Sequence, residues 1–252
     1  MPDFGFKDRN YIVTGGAGSI GRAVVEIIVS CGGNVTAVDL DGATLRELGS
    51  VLPEGRYRYK TADLSSPEEI RSVFAEITEY YGQIHGLVNC VGVLCTTPIT
   101  EVTQEEWDRV IAINLTGVFA AIQSVLPNML SNHYGCIVNV SSVAGKLGGG
   151  LLGTSAYATS KGGLNALTKV VAKTCGPQGV RCNAVCPAWT DSRMINSFMS
   201  EENISRLKQM VSLRRPATAE EAAYPIVFLL SDLASYINGE ITDADGGCTF
   251  DS

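Results

Sequence analysis

Three observations predict an α/β protein built as one doubly wound domain over residues 1–252. Short β-branched runs alternate with longer segments of helical apolar spacing from end to end. No Pro/Gly/Ser-rich linker divides the chain, and nothing repeats at solenoid spacing. Hydrophobic residues make up 45% of 252, enough for a sizeable core at a length that suits a single α/β domain. Alternating β and α implies a seven-stranded, mostly parallel sheet with helices on both faces.

The elements follow in order. Strand-like runs fall at 11–14, 34–39, 56–60, 86–89, 136–141, 180–186 and 240–244. Between them lie helical patterns such as 67–81, where Ile70, Val73, Phe74, Ile77 and Tyr81 share a face. Capping boxes open three of these helices: Ser66 with Glu69, Thr103 with Glu106, and Thr218 with Glu221.

Composition excludes several partners. The net charge of −7 and the lack of any Lys/Arg-rich run argue against nucleic acid and against an anionic membrane surface. No run of about 18 apolar residues is present to span a bilayer. The N-terminus lacks the basic start and apolar block of a signal peptide, so a cytoplasmic protein is expected. The eight cysteines are scattered, and Cys182 and Cys186 have no His nearby; reduced, mostly buried thiols are expected, with no metal site.

The first strand runs into Thr14-Gly15-Gly16-Ala17-Gly18-Ser19-Ile20-Gly21 and then an apolar helix. Glycines allow a tight turn and a close backbone approach to a pyrophosphate, which then sits on the helix N-terminus, as in Rossmann-like folds. The second strand ends at Asp39, which can accept hydrogen bonds from an adenosine ribose and repel a 2′-phosphate. Asp39 could instead be a turn-forming residue, given Asp41-Gly42 after it. No Lys or Arg lies within 15–20, and Arg22 is already in the helix, which favours NAD over NADP.

Further along come Ala62-Asp63-Leu64, Asn89-Cys90-Val91-Gly92, Ile113-Asn114-Leu115-Thr116-Gly117, Asn139-Val140-Ser141-Ser142, Tyr157-Ala158-Thr159-Ser160-Lys161, Asn183…Pro187 and Asp245-Gly246-Gly247. In order and spacing the set resembles the short-chain dehydrogenase/reductase family over essentially the whole chain. The resemblance implies catalytic residues Asn114, Ser142, Tyr157 and Lys161. It implies cofactor contacts from Gly15, Ser19, Ile20, Gly21, Asp39, Asp63, Leu64, Asn89, Tyr157, Lys161, Pro187 and Thr190. It also implies a substrate lid over about 188–213 and a homotetramer or homodimer formed through the helices that hold Asn114 and Tyr157.

The residues support these roles on their own terms. Tyr157 and Lys161, four apart, share a helix face, and a neighbouring ammonium is expected to lower the phenol pKa towards use as a general acid/base. Ser142 closes a strand and can hydrogen-bond a substrate oxygen; Ser141 competes, because adjacent strand residues face opposite ways. Asn114 is a polar group on the apolar stripe Trp107, Val110, Ile111, Val118, Ile122 and Val125. A buried amide there needs partners; the resemblance implies that it holds a proton-relay water, and a structural helix kink is the alternative. Ser19, Cys90-Val91 and Ala188 depart from the family pattern, and 148–150 lengthens the stretch before Tyr157.

The expected activity is hydride transfer between NAD(H) and a secondary alcohol or ketone. Alternatives are an NADPH-dependent ketone reductase and a non-catalytic nucleotide-binding protein of the same fold. The lining expected from Leu94, Cys95, Leu147, Leu151, Leu152, Trp189, Met194, Ile195, Phe198 and Met199 is apolar, which favours a neutral substrate. Lys146 or Arg193 could instead grip an anionic one.

Overall fold

The computed structural model describes residues 4–196 and 198–249. Its sheet contains β1 (Asn10–Thr14), β2 (Asn34–Asp39), β3 (Tyr57–Thr61), β4 (Gly86–Asn89), β5 (Gly135–Val140), β6 (Val180–Pro187) and β7 (Ile241–Ala244). The spatial order is β3-β2-β1-β4-β5-β6-β7, and every pairing is parallel. From β3 the chain returns past β1 to lay down β4 on its other side. The strand order therefore reverses between β1 and β4, and the crevice beyond their carboxyl ends is where such sheets bind ligands.

The helices are α1 (Ser19–Ser30), α2 (Gly42–Val51), α3 (Pro67–Tyr81), α4 (Gln104–Ile111), α5 (Val118–Ser131), α6 (Ala144–Leu147), α7 (Ser155–Cys175), α8 (Arg193–Asn196), α9 (Glu201–Met210) and α10 (Ala219–Leu230). They cover both faces. In β1, Tyr11 and Val13 join one core cluster with Val24, Leu45 and Ile226 from α1, α2 and α10. Ile12, between them, joins another with Phe74, Ile122 and Leu164 from α3, α5 and α7. A strand whose successive side chains enter two dry cores has no polar face, which explains the unbroken apolar run.

The strand bounds differ from expectation by a residue or so. The third strand is shifted one residue, to Tyr57–Thr61, and β5 ends at Val140, leaving Ser141 and Ser142 beyond it. Of the three expected capping boxes only Thr218–Glu221 closes in both directions. Ser66 and Thr103 cap their helices, but Glu69 accepts from the Asp63 N–H and Glu106 from the Thr97 hydroxyl. In both cases the glutamate ties down the preceding loop instead of its own helix start.

The run 104–131 is one helical rod, long and apolar enough by composition to cross a membrane, contrary to the expectation from sequence. Here it packs against α3, α7, β4 and β5 as a core element. Between α4 and α5 it widens into a π-turn over Ala112–Gly117. Gly117 is forced there, since a Cβ would lie 1.9 Å from the Leu64 carbonyl oxygen.

Candidate active site

The turn after β1 is shaped by glycine. Gly15 adopts φ +68°, and a Cβ on Gly21 would meet the Gly15 oxygen at 2.2 Å. The left-handed turn falls on Gly15, while Gly18 is extended as the residue before α1. Ser19 is thus the first helical residue, and its Cβ is accommodated. Asp39 accepts from the Ala17 N–H at 3.1 Å through one oxygen and from the Asp41 N–H at 3.1 Å through the other. The same carboxylate therefore orders the glycine turn and begins the β2–α2 turn.

A cleft opens here, lined among others by Ser19, Ile20, Gly21, Cys90, Gly92, Ser142, Tyr157, Lys161, Pro187 and Thr190. Thr190 is 4% exposed, and its hydroxyl is buried without a hydrogen-bond partner. A glycine cradle at one end and an orphaned hydroxyl at the other fit an elongated dinucleotide with a polar ring substituent. Gly15, Asp39, Asp63, Leu64 and Asn89 lie at the strand ends and do not line this cleft. The Asp63 carboxylate accepts from the Ser65 N–H and hydroxyl, which hold its pKa below the ordinary value. Leu64 is a core side chain.

The Asn89 side chain is fully engaged inside the protein. The Thr14 hydroxyl donates to Asn89 Oδ1 (3.2 Å), Asn89 Nδ2 to Asn139 Oδ1 (2.9 Å), Asn139 Nδ2 to Thr168 Oγ1 (2.9 Å), and Thr168 Oγ1 to the Leu164 carbonyl (2.8 Å). Thr14, Asn89 and Asn139 are register partners across β1, β4 and β5.

Lys161, 3% exposed, points its Nζ at the Val140 carbonyl (2.8 Å) and lies 5.8 Å from the centre of the Tyr157 ring. Burial lowers its pKa from the usual lysine range to about 8. Tyr157 departs from the sequence expectation: burial raises its pKa, and hydrogen bonding with Ser142 only partly opposes this. Desolvation of the phenolate outweighs an ammonium that is itself desolvated and turned to a backbone carbonyl. Ser141 and Ser142 separate cleanly. The Ser141 hydroxyl donates to the Lys161 carbonyl (3.1 Å), while Ser142 accepts from the Ala144 N–H (3.2 Å) and faces the cleft beside Tyr157.

Asn114 sits at the π-turn and is completely buried. Its Oδ1 accepts from the Val93 N–H (2.8 Å), and its Nδ2 donates to the Val93 carbonyl (2.9 Å) and to Ser160 Oγ (3.1 Å). Ser160 in turn donates to the Tyr157 carbonyl (2.7 Å). The Asn114 amide is thus occupied by protein groups that tie the β4 loop to the first turns of α7.

Residues 15–249 match a family model described as Enoyl-(Acyl carrier protein) reductase. The chain is 35% identical over 240 residues to a 3-oxoacyl-[acyl-carrier-protein] reductase FabG of Aquifex aeolicus, covering 94% of this chain and 95% of that one. It is 32% identical over 244 residues to meso-2,3-butanediol dehydrogenase of Serratia marcescens, covering 97% and 96%. The crystal structure of gox2181 superposes with a TM-score of 0.93 at 28% identity, covering 98% and 97%. The chain belongs to the short-chain dehydrogenase/reductase family. It is an oxidoreductase fold of that family from end to end.

Against the first cleft, the short-chain dehydrogenase/reductase has a second one of about 90 Å³, lined by Leu94, Leu147, Leu151, Leu152, Trp189 and Met210 among others. The two share Ser142, Tyr157, Ala188 and Ile195. Ile195 from α8 and Leu207 and Met210 from α9 show that the segment 188–213 does border the site. Cys95 does not; it is buried with Val110 and Ala156 beneath α7. Lys146 is directed to Asp243 on β7 at 2.7 Å, and the Arg193 side chain lies outside the described residues.

Sequence reasoning missed the Val140 carbonyl, Ser160 and Asp243. The first is a backbone atom and the others are ordinary polar residues, so no residue pattern marks them.

Proposed function

We propose that this chain is an NAD-preferring dehydrogenase/reductase that interconverts a neutral secondary alcohol and its ketone. The observation that carries the reading is the meeting of two clefts at Ser142 and Tyr157 with Lys161 behind them. Thr190, Pro187, the 15–21 turn, Asp39, Asp63, Leu64 and Asn89 would hold the dinucleotide, which supplies the hydride acceptor for oxidation and the donor for reduction. Ser142 donates a hydrogen bond to the substrate oxygen. Tyr157 removes the hydroxyl proton in oxidation and returns it in reduction, and Lys161 stands behind the pair, anchored on the Val140 carbonyl. Asn114 holds the π-turn and the start of α7 in register with these groups.

NAD preference is supported by Asp39, fixed by the Ala17 N–H, with exposed Leu40 rather than a basic residue following it. A neutral substrate is supported by the apolar lining and by the engagement of Lys146 with Asp243. FabG and butanediol dehydrogenase relatives are named for ketones or alcohols flanked by carbon, which the apolar cleft suits. The segment 188–213 serves as the lid. Exposed Phe119 on α5 and Val170 on α7 support a homo-oligomer, a tetramer or dimer, and eight free thiols suit the cytoplasm.

The test is a panel of secondary alcohols and size-matched hydroxy acids, each with NAD and NADP. NAD is expected to be favoured at least about tenfold, some 1.4 kcal/mol, and neutral alcohols over acids. Equal use of NADP overturns the cofactor assignment; turnover of acids alone overturns the substrate class; binding without turnover overturns catalysis.

A further inference from the structure

Beside the glycine turn, on the outer side of α1, a third cleft is lined by Ala17, Ser19, Arg22, Glu26, Thr44, Glu47 and Glu220. It adjoins the nucleotide site directly, since Ala17 donates to Asp39 and Thr44 donates to Asp41, both at the end of β2. This is the side on which a phosphate on the adenosine ribose would lie, if Asp39 faces the ribose as proposed. Arg22 is the one basic residue among the described lining residues. It stands four residues after Gly18 and shares this cleft with Ala17 and Ser19 of the turn that would meet such a phosphate.

Arg22 is not free to act as a simple cation. Its Nε donates to Glu26 Oε1 at 3.0 Å, one helical turn further on, and both side chains are a little over a third exposed. The pair occupies the Nε edge of the guanidinium, which is one edge of its bidentate fork, and cancels its charge. Glu47 and Glu220 add negative charge with no further cation in the cleft. An arginine so paired meets a phosphate with its charge already offset, in a field that opposes a dianion.

We propose that Glu26 is a second determinant of cofactor choice, acting by holding Arg22 away from a ribose 2′-phosphate. The inference rests on the assignment of the ribose to Asp39. Discrimination against NADP is then shared between a carboxylate that occupies the 2′ position and a carboxylate that disarms the nearest arginine. Removing Glu26 alone converts Arg22 from a paired side chain into a phosphate ligand.

The test uses ligand binding as well as turnover, measured by calorimetry with adenosine 2′,5′-bisphosphate and with AMP on the intact protein. Glu26→Gln, a surface change that keeps helix propensity, should tighten the bisphosphate at least about threefold relative to AMP. The gain should shrink with added salt, because the groups are exposed. Arg22→Gln combined with Glu26→Gln should erase it. The same variants should show a parallel rise and loss in kcat/KM for NADP. No tightening in Glu26→Gln, or a gain that survives loss of Arg22, overturns the proposal. If the unaltered protein already prefers NADP, the assignment of Asp39 fails instead, and this outcome is distinguished by the wild-type ratio alone.

Discussion

The ammonium of Lys161 is anchored on the Val140 carbonyl, 2.8 Å away at the carboxyl end of β5, and this burial holds its pKa near 8. A lysine that keeps its proton in such a place opposes folding. Its folded pKa lies below the unfolded value, so the penalty is fully present below about pH 8 and is relieved as the pH rises towards the ordinary lysine range. Lys161→Met should therefore abolish turnover yet stabilise the fold at pH 7, by about 2–3 kcal/mol, read as a higher thermal midpoint. The gain should fade above pH 8 in parallel melts. A Met variant that is less stable at pH 7 shows that the bond to Val140 outweighs the desolvation.

Tyr157 and the two serines make distinct demands. Tyr157→Phe should lower kcat by about 10² or more while leaving dinucleotide affinity within a few-fold. Because burial raises the phenol pKa, oxidation in the wild type should keep accelerating with pH beyond the lysine titration. Ser142→Ala should cost far more activity than Ser141→Ala, whose hydroxyl is engaged with the Lys161 carbonyl and Cys186. Steady-state kinetics on the three variants checks this, and the reverse order of the serines would move the assignment.

Asn114→Ala strips partners from both polar groups of Val93 and from Ser160. The expected loss is about 2–4 kcal/mol of stability, from buried groups left unpaired, together with most of the activity. Urea melts and kinetics below the melting transition separate the two. Lost activity at unchanged stability would mean that the amide has a chemical role beyond holding the π-turn.

Phe119 on α5 and Val170 on α7 are 47% and 60% exposed. Light scattering should give a mass well above the 26.7 kDa of one chain, and Phe119→Glu should shift it downwards, since a buried charge without a partner is costly at an interface. A monomeric wild type ends that reading.

Much of this was legible in the residues, and the limits have physical reasons. The period of the apolar pattern is local, so alternating strands and helices could be read, and so could the i, i+4 pair Tyr157–Lys161. The polar residue on the apolar stripe marked Asn114 as buried, but its partners in the β4 loop could not be read, because two of them are the backbone groups of Val93. The direction of the Tyr157 pKa shift was misjudged because it depends on how deeply a ring and an ammonium are desolvated together. Lys146 looked like a free cation until Asp243, 97 residues later, was brought beside it by β7. The edge strand β3 was misplaced by one residue because its alternating Tyr and basic residues suit either start, and only pairing with β2 decides.

The row Thr14–Asn89–Asn139–Thr168 has a consequence for how the site tolerates change. Each donor in it meets an acceptor only if β1, β4, β5 and α7 are aligned to the residue, since a slip of one would turn every side chain of a strand to the other face. It works as an internal ruler, set in the dry interior and invisible from either cleft. The strand ends carrying the glycine turn, Cys90, Ser142 and the Lys161 anchor are levelled by it. A stretch outside that row and outside the Asn114 contacts, such as 148–150, can then lengthen, shorten or change composition without disturbing the alignment on which proton transfer depends.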